Sequence, residues 1–209
     1  MFRLENLSPE FFKPKGDSQV WGKSIELSPS SRIRITAPSG TGKSSLVHFL
    51  AFTNKNYRGS ILFEGTELGS IPRKEKSRLL QSRISIVFQD LRLINDLSVW
   101  ENLRLKGSLG NFPAEEQEDM LRYFELFDKR DALVNSMSQG ERQRIAIIRA
   151  LSQKFDLLIL DEPFSHLDSN WQEKAWDLID KRSASNKAGL IYTSLDGQEK
   201  WSFDQSLSL

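Results

Sequence analysis

The sequence contains no cysteine, only two histidines and no long apolar run. The absence of cysteine excludes disulfides and thiolate metal sites and fits a reducing compartment. The longest apolar stretches, at 46–52 and 157–160, fall far short of the roughly 20 residues that span a bilayer, and the N-terminus shows no signal peptide. Because 29 basic and 28 acidic residues leave a net charge of +1, we expect no nucleic acid as a partner. If the protein works at a membrane, another chain supplies the span.

What the chain does contain is an alternation of apolar runs and helical patterns. Its 209 residues suit one globular domain with a full core. Several apolar runs are nearly continuous in Ile, Leu and Val, which is typical of strands covered on both faces. Strands are predicted at 32–36, 61–64, 84–88, 157–160 and 190–193. Helices are predicted at 43–52, 74–81, 114–127, 141–152 and 171–182.

The order of these patterns predicts the fold class and the domain organisation. Strand and helix alternate at both ends of the chain, which indicates an α/β sheet with crossover helices. The middle contains helices but no convincing strand, so we interpret it as an inserted α-helical subdomain. The N-terminus is expected to add a small antiparallel β layer. We therefore expect one domain over 1–209, with an α/β core at 1–89 and 153–209 and a helical subdomain at 90–152.

A strand that leads into a glycine-rich turn and then a helix predicts a phosphate-binding loop. The sequence APSGTGKSS matches the pattern GxxxxGK[ST], except that Ala37 replaces the first glycine. The two glycines let backbone N–H groups point at phosphate oxygens, and the helix adds the positive end of its dipole. Lys43 is expected to reach the β- and γ-phosphates and Ser44 to ligate Mg²⁺. The predicted nucleotide-binding residues here are Pro38, Ser39, Gly40, Thr41, Gly42, Lys43, Ser44 and Ser45.

Two adjacent carboxylates end the hydrophobic strand in FDLLILDEP. A parallel sheet places Asp161 and Glu162 at the same edge as the phosphate loop. Asp161 is expected to hold Mg²⁺ through water, and Glu162 to orient and deprotonate an attacking water. Such a pair alone is most often a solvated turn, but together with the phosphate loop it indicates a nucleotide hydrolase.

The order of five motifs resembles the ATP-binding-cassette (ABC) ATPases. In chain order they are APSGTGKSS, VFQD, MSQGERQRIAIIRAL, LLILDEP and SHLD, and the resemblance covers nearly the whole chain. The stretch VFQDLRLINDLSVWENL is most similar to the cassettes of lipoprotein release, macrolide export and cell division. The resemblance implies a P-loop NTPase core with a mixed sheet, ATP hydrolysis, and ATP and Mg²⁺ as cofactors.

The resemblance also assigns roles to residues outside the phosphate loop. Gln89 matches the family glutamine that touches Mg²⁺ and the attacking water, which makes it a metal-binding and catalytic candidate beside Glu162. Asp168 matches the aspartate that lies along the seam of the family's dimer. Phe11 aligns best with the aromatic side chain that stacks on adenine, and Phe12 is the alternative.

MSQGE matches the family signature, which in the family faces the γ-phosphate held by the opposing subunit. The resemblance therefore makes Ser138, Gln139 and Gly140 nucleotide-binding candidates. By its own chemistry the same stretch is a capping box, in which Ser138 and Glu141 satisfy backbone N–H groups at the start of a helix. Gln139 replaces a signature glycine and Glu141 a neutral glutamine, and we expect both changes to be tolerated.

One departure from the family bears on catalysis. The family histidine that contacts the γ-phosphate falls at Ser194 or Leu195, and the alignment with Leu195 followed by Asp196 fits better. Both histidines lie elsewhere: His48 is expected in the core or an interface, and His166 as a loop side chain. Because leucine cannot bond to phosphate, either a neighbouring hydroxyl replaces the contact or the site is slow.

These observations leave two functions open. The first is an ATPase subunit that pairs with a second ABC ATPase subunit, identical or related, and with an integral membrane permease on the cytoplasmic side of the membrane. The second is a slow or regulatory nucleotide switch, which the missing histidine motivates. A non-transport cassette that acts on DNA or ribosomes is disfavoured, because the sequence has no heptad run and no basic patch.

Overall fold

The computed structural model describes residues 2–14, 17–195 and 200–209. The strands in these ranges are β1 (Phe2–Pro9), β2 (Ser24–Leu27), β3 (Arg32–Thr36), β4 (Tyr57–Phe63), β5 (Thr66–Glu67), β6 (Ile84–Val87), β7 (Leu157–Asp161), β8 (Gly189–Ser194) and β9 (Gln205–Ser208). The α-helices are α1 (Lys43–Leu50), α2 (Arg73–Ser82), α3 (Val99–Leu109), α4 (Ala114–Tyr123), α5 (Gln139–Leu151) and α6 (Ser169–Asn186). None of these helices is long and apolar enough to cross a membrane.

Two sheets organise the fold. A parallel sheet has the strand order β6-β7-β8-β3-β9. An antiparallel sheet has the order β2-β1-β4-β5 and includes the predicted N-terminal β layer. The predicted α/β fold class is confirmed. Among the described residues, the parallel strand pairs lie in one sheet and the antiparallel strand pairs in the other.

The parallel sheet is covered on both faces because its strands send alternate side chains to two cores. Along β7, Leu157 and Ile159 join the core shared with α1 and the antiparallel sheet. Leu158 and Leu160 join the core shared with α5 and α6. All four side chains are buried, which explains the nearly continuous apolar run that predicts this strand.

Helices α3, α4 and α5 lie between β6 and β7, in the segment predicted to form a helical subdomain. They contact one another and share an apolar core with one face of the parallel sheet. Helix α3 is not among the predicted helices, although Ser98 and Glu101 form a capping box at its start. Helix α4 ends earlier than expected because Glu125 adopts a left-handed φ of 58°. The subdomain boundaries stay a prediction.

Candidate active site

The phosphate loop connects β3 to α1 and lies under two aromatic side chains. Gly40 and Gly42 adopt φ values of +79° and +105°, which strain any other residue. A Cβ atom at Gly42 would lie 2.6 Å from Cζ of Phe12 and 3.1 Å from Cζ2 of Trp21. The Trp21 indole N–H also donates to the Thr41 carbonyl at 3.3 Å. Both conformation and space therefore require glycine at position 42.

The Lys43 side chain turns back across the loop. Its ammonium group donates to the carbonyls of Ala37 at 2.7 Å and Pro38 at 3.2 Å. It also lies 3.2 Å from Oε1 of Glu162. Because Lys43 is only 4 % exposed, its positive charge is held inside the site. This arrangement places a fixed cation where the predicted β- and γ-phosphates bind.

A chain of hydrogen bonds joins three of the predicted metal- and water-binding side chains. The Ser44 hydroxyl donates to Oε1 of Gln89 at 3.1 Å. The Gln89 amide group then donates to Oε2 of Glu162 at 3.3 Å, although these two residues are 73 positions apart in the sequence. The start of α1 and the ends of β6 and β7 therefore meet at one edge of the sheet, as the sequence predicts.

Asp161 is a buried carboxylate, with an exposure of 2 %. Burial raises the pKa of Asp161, and hydrogen bonds with the hydroxyls of Thr193 and Ser44 oppose that rise. In the described part of the chain, no group of three or more His, Cys, Asp or Glu residues is arranged to hold a metal ion. A cation here would rely on Asp161 with the oxygens of Ser44 and Gln89. One carboxylate and neutral oxygen donors suit Mg²⁺. Water molecules and substrate phosphates then complete its coordination.

The backbone at Glu162 has a strained conformation that its neighbours hold in place. Its φ is 47°, in the left-handed region that costs a residue with a Cβ atom about 1–2 kcal/mol. The Glu162 amide lies 3.3 Å from the carbonyl and 3.2 Å from the hydroxyl of Thr193. The Glu162 carbonyl accepts from Nε2 of buried Gln143 at 3.3 Å. Strand β8 and helix α5 therefore fix the direction in which Glu162 leaves the sheet.

A cavity of about 260 Å³ opens at the phosphate loop. Its lining includes Phe11, Phe12, Lys43, Ser44, Gln89 and Glu162. Phe11 is 54 % exposed, and its ring centroid lies 5.3 Å from that of Phe12. An exposed aromatic face beside a phosphate site can stack on a nucleotide base. The choice of Phe11 over Phe12 stays a prediction.

The predicted signature residues lie at the start of α5. The capping box is confirmed, because the Ser138 hydroxyl accepts from the Glu141 amide at 3.3 Å and Oε2 of Glu141 accepts from the Ser138 amide at 2.8 Å. The Lys129 ammonium group donates to Oε1 of Glu141 at 2.5 Å, and this contact lowers the pKa of Glu141 to about 2. The charge of Glu141 is thus paired within the chain. Ser138, Gln139 and Gly140 do not line the cavity at the phosphate loop.

Asp168, which is predicted to lie along the dimer seam, is outside the cavity at the phosphate loop, and so are both histidines. Asp168 caps α6, where its carboxylate accepts from the Trp171 amide at 3.0 Å. His166 is an exposed loop residue whose backbone amide donates to Oε1 of Gln143 at 2.9 Å. His48 is half-buried on α1, and burial lowers its pKa. The interpretation of His166 as a loop side chain agrees with its position, whereas His48 lies outside both cores, and its place in an interface stays a prediction.

In the described part of the chain, the end of β8 offers no replacement for the missing histidine. Leu195 is 53 % exposed, and its side chain has no hydrogen-bonding group. The Thr193 hydroxyl is bonded to Asp161, and the Ser194 hydroxyl is buried without a partner among the described residues. Asp196 lies outside the described residues. Neither the Thr193 nor the Ser194 hydroxyl lines the cavity at the phosphate loop, so the geometry favours loss of the contact over its replacement by one of them.

Three residues of the site have contacts that the sequence analysis does not predict. Gln143 could have been recognised as a polar side chain on the buried face of a helix, at i, i+4 spacing from Ile147. Trp21 has no such signal, because its contact depends on how the N-terminal layer folds over the loop. Thr193 meets Asp161 only because β7 and β8 pair in that register.

A P-loop nucleotide hydrolase accounts for this arrangement, because the lysine, the hydroxyl beside it and the carboxylate pair all converge on one glycine-rich turn. A family model described as ABC transporter matches residues 22–165. The chain belongs to that family and is one of its ATP-binding, ATP-hydrolysing domains.

Curated relatives support the predicted subgroup. The chain is 33% identical over 196 residues to the lipoprotein-releasing system ATP-binding protein LolD of Buchnera aphidicola, covering 91% of this chain and 86% of the relative. It is 30% identical to LolD of Pseudomonas fluorescens over 192 residues, covering 90% of this chain and 85% of that protein. The methionine import ATP-binding protein MetN 1 of Bacillus cereus is 32% identical over 184 residues, 86% of this chain, but the match spans only 53% of that relative.

Solved structures show the same fold. The dimeric structure of MJ0796, described as a bacterial ABC transporter cassette, matches with a TM-score of 0.78 and 25% identity over 92% of this chain and 88% of that one. A second structure, described as a post-hydrolysis state bound to ADP and phosphate, matches with a TM-score of 0.77 and 24% identity over the same shares. At this identity the second likeness supports the fold alone.

Proposed function

We propose that this protein is the ATPase subunit of a membrane transporter and that the phosphate-loop cavity binds and hydrolyses ATP. The convergence of Lys43, Ser44, Gln89 and Glu162 on one cavity carries the proposal. Lys43 and the N–H groups of the loop bind the β- and γ-phosphates. Ser44, Gln89 and Asp161 are the residues that would hold Mg²⁺, which neutralises negative charge on the phosphates when it is bound.

Glu162 serves as the general base in this proposal. The oxygen of a water molecule attacks the γ-phosphorus while the bond to the bridging oxygen of ADP breaks, and the water's proton passes to the Glu162 carboxylate. Oε2 of Glu162 accepts a hydrogen bond from Gln89 and Oε1 lies beside Lys43. These contacts keep the carboxylate turned toward the cavity, where it can accept the proton.

A second cassette completes the site in our proposal. Ser138, Gln139 and Gly140 lie at the capped N-terminus of α5, where backbone N–H groups and the helix dipole favour an anion. Since these residues do not line the cavity of their own chain, we place them against the γ-phosphate of a partner subunit, with Asp168 along the seam. Support comes from the related cassette, which is described as dimeric. The partner is an identical or a related chain.

A groove between the phosphate-loop core and the helical segment supports a further partner. It has a volume of about 300 Å³, and its lining includes Leu80, Phe88, Leu105, Lys106, Leu109 and Arg149. The Lys106 ammonium group donates to the Leu80 carbonyl at 2.7 Å. Burial lowers the pKa of Lys106 to about 8 and that of Arg149 to about 10. Both side chains are therefore predominantly charged at neutral pH, in a groove that is otherwise mainly apolar.

The chemistry of the groove indicates its occupant. No carboxylate is among its described lining residues, so an apolar segment with an acidic side chain complements both its shape and its charge. We propose that a cytoplasmic segment of an integral membrane permease binds there. Because Phe88 lines the groove and directly precedes Gln89, this contact is adjacent to the ATP site. The protein is then peripheral on the cytoplasmic face of the membrane.

The substitution Glu162→Gln tests the ATPase proposal. It keeps the size of the side chain but removes the base, so turnover is expected to fall about 100-fold or more. ATP binding is expected to persist, since the phosphates are held by the loop. The matched control is Glu173→Gln on α6, where the carboxylate is exposed and, among the described residues, paired only with the exposed Lys200. A Glu162→Gln variant as active as the parent would exclude this mechanism.

A slow nucleotide switch is the second candidate, and the end of β8 is the observation that favours it. Leu195 is exposed without a polar group, and the Thr193 hydroxyl is bonded to Asp161. In this case ATP closes the dimer but turnover is slow, and the partner subunit carries the complete set of residues. A purified protein that hydrolyses ATP at about 1 s⁻¹ or faster, as typical enzymes do, would rule out the switch.

A further inference from the structure

The Thr193 hydroxyl bridges the two acidic residues of the candidate active site. Its Oγ1 atom donates to Oδ1 of Asp161 at 2.8 Å and accepts from the backbone amide of Glu162 at 3.2 Å. Thr193 is fully buried, with an exposure of 0 %, and Asp161 is 2 % exposed. Both contacts therefore lie in the protein interior, where water does not compete for them.

The chemistry of a hydroxyl explains why one side chain can make both contacts. A hydroxyl carries one proton and two lone pairs, so it can donate to a carboxylate and accept from an amide at once. The pairing of Asp161 with Thr193 across β7 and β8 supplies the necessary register. A valine has the same shape but removes both hydrogen bonds, and the Glu162 amide then keeps only its longer contact with the Thr193 carbonyl at 3.3 Å.

We propose that Thr193 is a positioning residue for ATP hydrolysis, which fixes the orientation of Asp161 toward the cation and of Glu162 toward the attacking water. This inference rests on the proposed function, because it assigns the two carboxylates those roles. By holding Oδ1 of Asp161, Thr193 fixes how this carboxylate is turned toward the Ser44 hydroxyl. By holding the Glu162 amide, it supports the left-handed backbone, with φ of 47°, that aims this side chain.

Two substitutions separate the hydroxyl from the shape of the side chain. Thr193→Val removes both hydrogen bonds, and Thr193→Ser keeps the hydroxyl. We expect Thr193→Val to lower turnover by about 10- to 100-fold and to raise the Mg²⁺ concentration that gives half-maximal rate, as loss of a residue that orients a metal ligand does. Thr193→Ser is expected to stay within about threefold of the parent, because the orienting hydroxyl remains.

A matched control comes from strand β6, which lies on the far side of β7 from β8 in the parallel sheet. Ser85 is also fully buried, and its hydroxyl donates to the Ala150 carbonyl at 2.6 Å, away from the carboxylates. Ser85→Ala is expected to lower the thermal midpoint but to leave the Mg²⁺ dependence unchanged. Binding of ATP without metal, measured by competition with a fluorescent ATP analogue, is expected to change little in Thr193→Val, because the phosphate loop is intact.

The outcomes distinguish this inference from the proposed function. A Thr193→Val variant with the parent's turnover and Mg²⁺ dependence would overturn the inference alone, as would a Thr193→Ser variant that is equally impaired. If the parent turns over slowly, the Mg²⁺ dependence of ATP binding is compared instead, and an unchanged dependence in Thr193→Val again overturns the inference. A parent that does not bind ATP would overturn the proposed function and this inference with it.

Discussion

The substitution Gly42→Ala tests how tightly the aromatic side chains close over the phosphate loop. Gly42 has a φ of +105°, and an added Cβ atom would lie 2.6 Å from Cζ of Phe12 and 3.1 Å from Cζ2 of Trp21. Gly40, two positions earlier in the same loop, has a φ of +79°, but no atom of the neighbouring described residues lies within 4 Å of a Cβ at that position. Gly40→Ala therefore introduces backbone strain alone, whereas Gly42→Ala introduces strain and a collision.

The expected magnitudes follow from these two contributions. A left-handed conformation costs an alanine about 1–2 kcal/mol, so Gly40→Ala should lower the free energy of unfolding by about that amount. Carbon atoms pack best at about 3.5–4.0 Å, so the Phe12 ring at 2.6 Å must move by about 1 Å. Overpacking of this kind costs a further 1–3 kcal/mol, roughly. We expect Gly42→Ala to cost about 2–5 kcal/mol in total.

Urea unfolding measures these differences, and competition with a fluorescent ATP analogue measures nucleotide binding. The matched test repeats Gly42→Ala in a Phe12→Ala background, where the closest colliding ring is gone and only the Trp21 contact remains. The cost of Gly42→Ala should then fall toward that of Gly40→Ala. If Gly42→Ala costs no more than Gly40→Ala, or costs the same with and without Phe12, the steric reasoning is refuted.

Two further substitutions test the missing histidine contact at the end of β8 and the groove that is proposed to bind the permease. If the missing imidazole limits turnover, Leu195→His is expected to raise the rate of ATP hydrolysis at least about tenfold. Phosphate release measures the rate, and Leu195→Ala is the control. An unchanged rate in Leu195→His would contradict that explanation. Leu105→Glu introduces a negative charge into the groove, and this charge repels an acidic permease segment. The substitution is therefore expected to reduce sedimentation of the protein with native membranes. Leu133→Glu is the control, because Leu133 lies outside the groove lining and has a similar exposure, 46 % against 48 % for Leu105. It should not reduce sedimentation, and equal effects of the two substitutions would contradict the assignment of the groove.

Much of the site can be predicted because its signals are local. The phosphate loop needs two glycines, a lysine and a helix N-terminus within one short stretch, so the sequence alone specifies its conformation. The strand before Asp161 is recognisable because nearly every residue in it is apolar, as burial on both faces requires. The capping box of Ser138 and Glu141 is likewise a relation between residues three apart, and the structure confirms it.

Other elements could not be predicted, because they depend on contacts between residues that are far apart in the sequence. Strand β9 is short and polar, and it exists because it pairs with β3, far away in the sequence. Helix α3 carries a capping box that could have been used, but its apolar positions do not stand out from the surrounding polar residues. The contact of Trp21 with the phosphate loop depends on the position of the N-terminal layer, which no local pattern encodes.

By itself, the sequence determined the class of chemistry, because the phosphate loop, the strand that ends in two carboxylates and the order of the motifs are written along the chain. It also located the end of β8, at Ser194 or Leu195, as the place where the resemblance to the family predicts a histidine that this chain lacks. Only the tertiary structure decided how the site is held, because the bonds from Thr193 to Asp161 and from Gln143 to Glu162 join separate elements. Strand register and helix packing set those distances, and neither can be calculated from local composition.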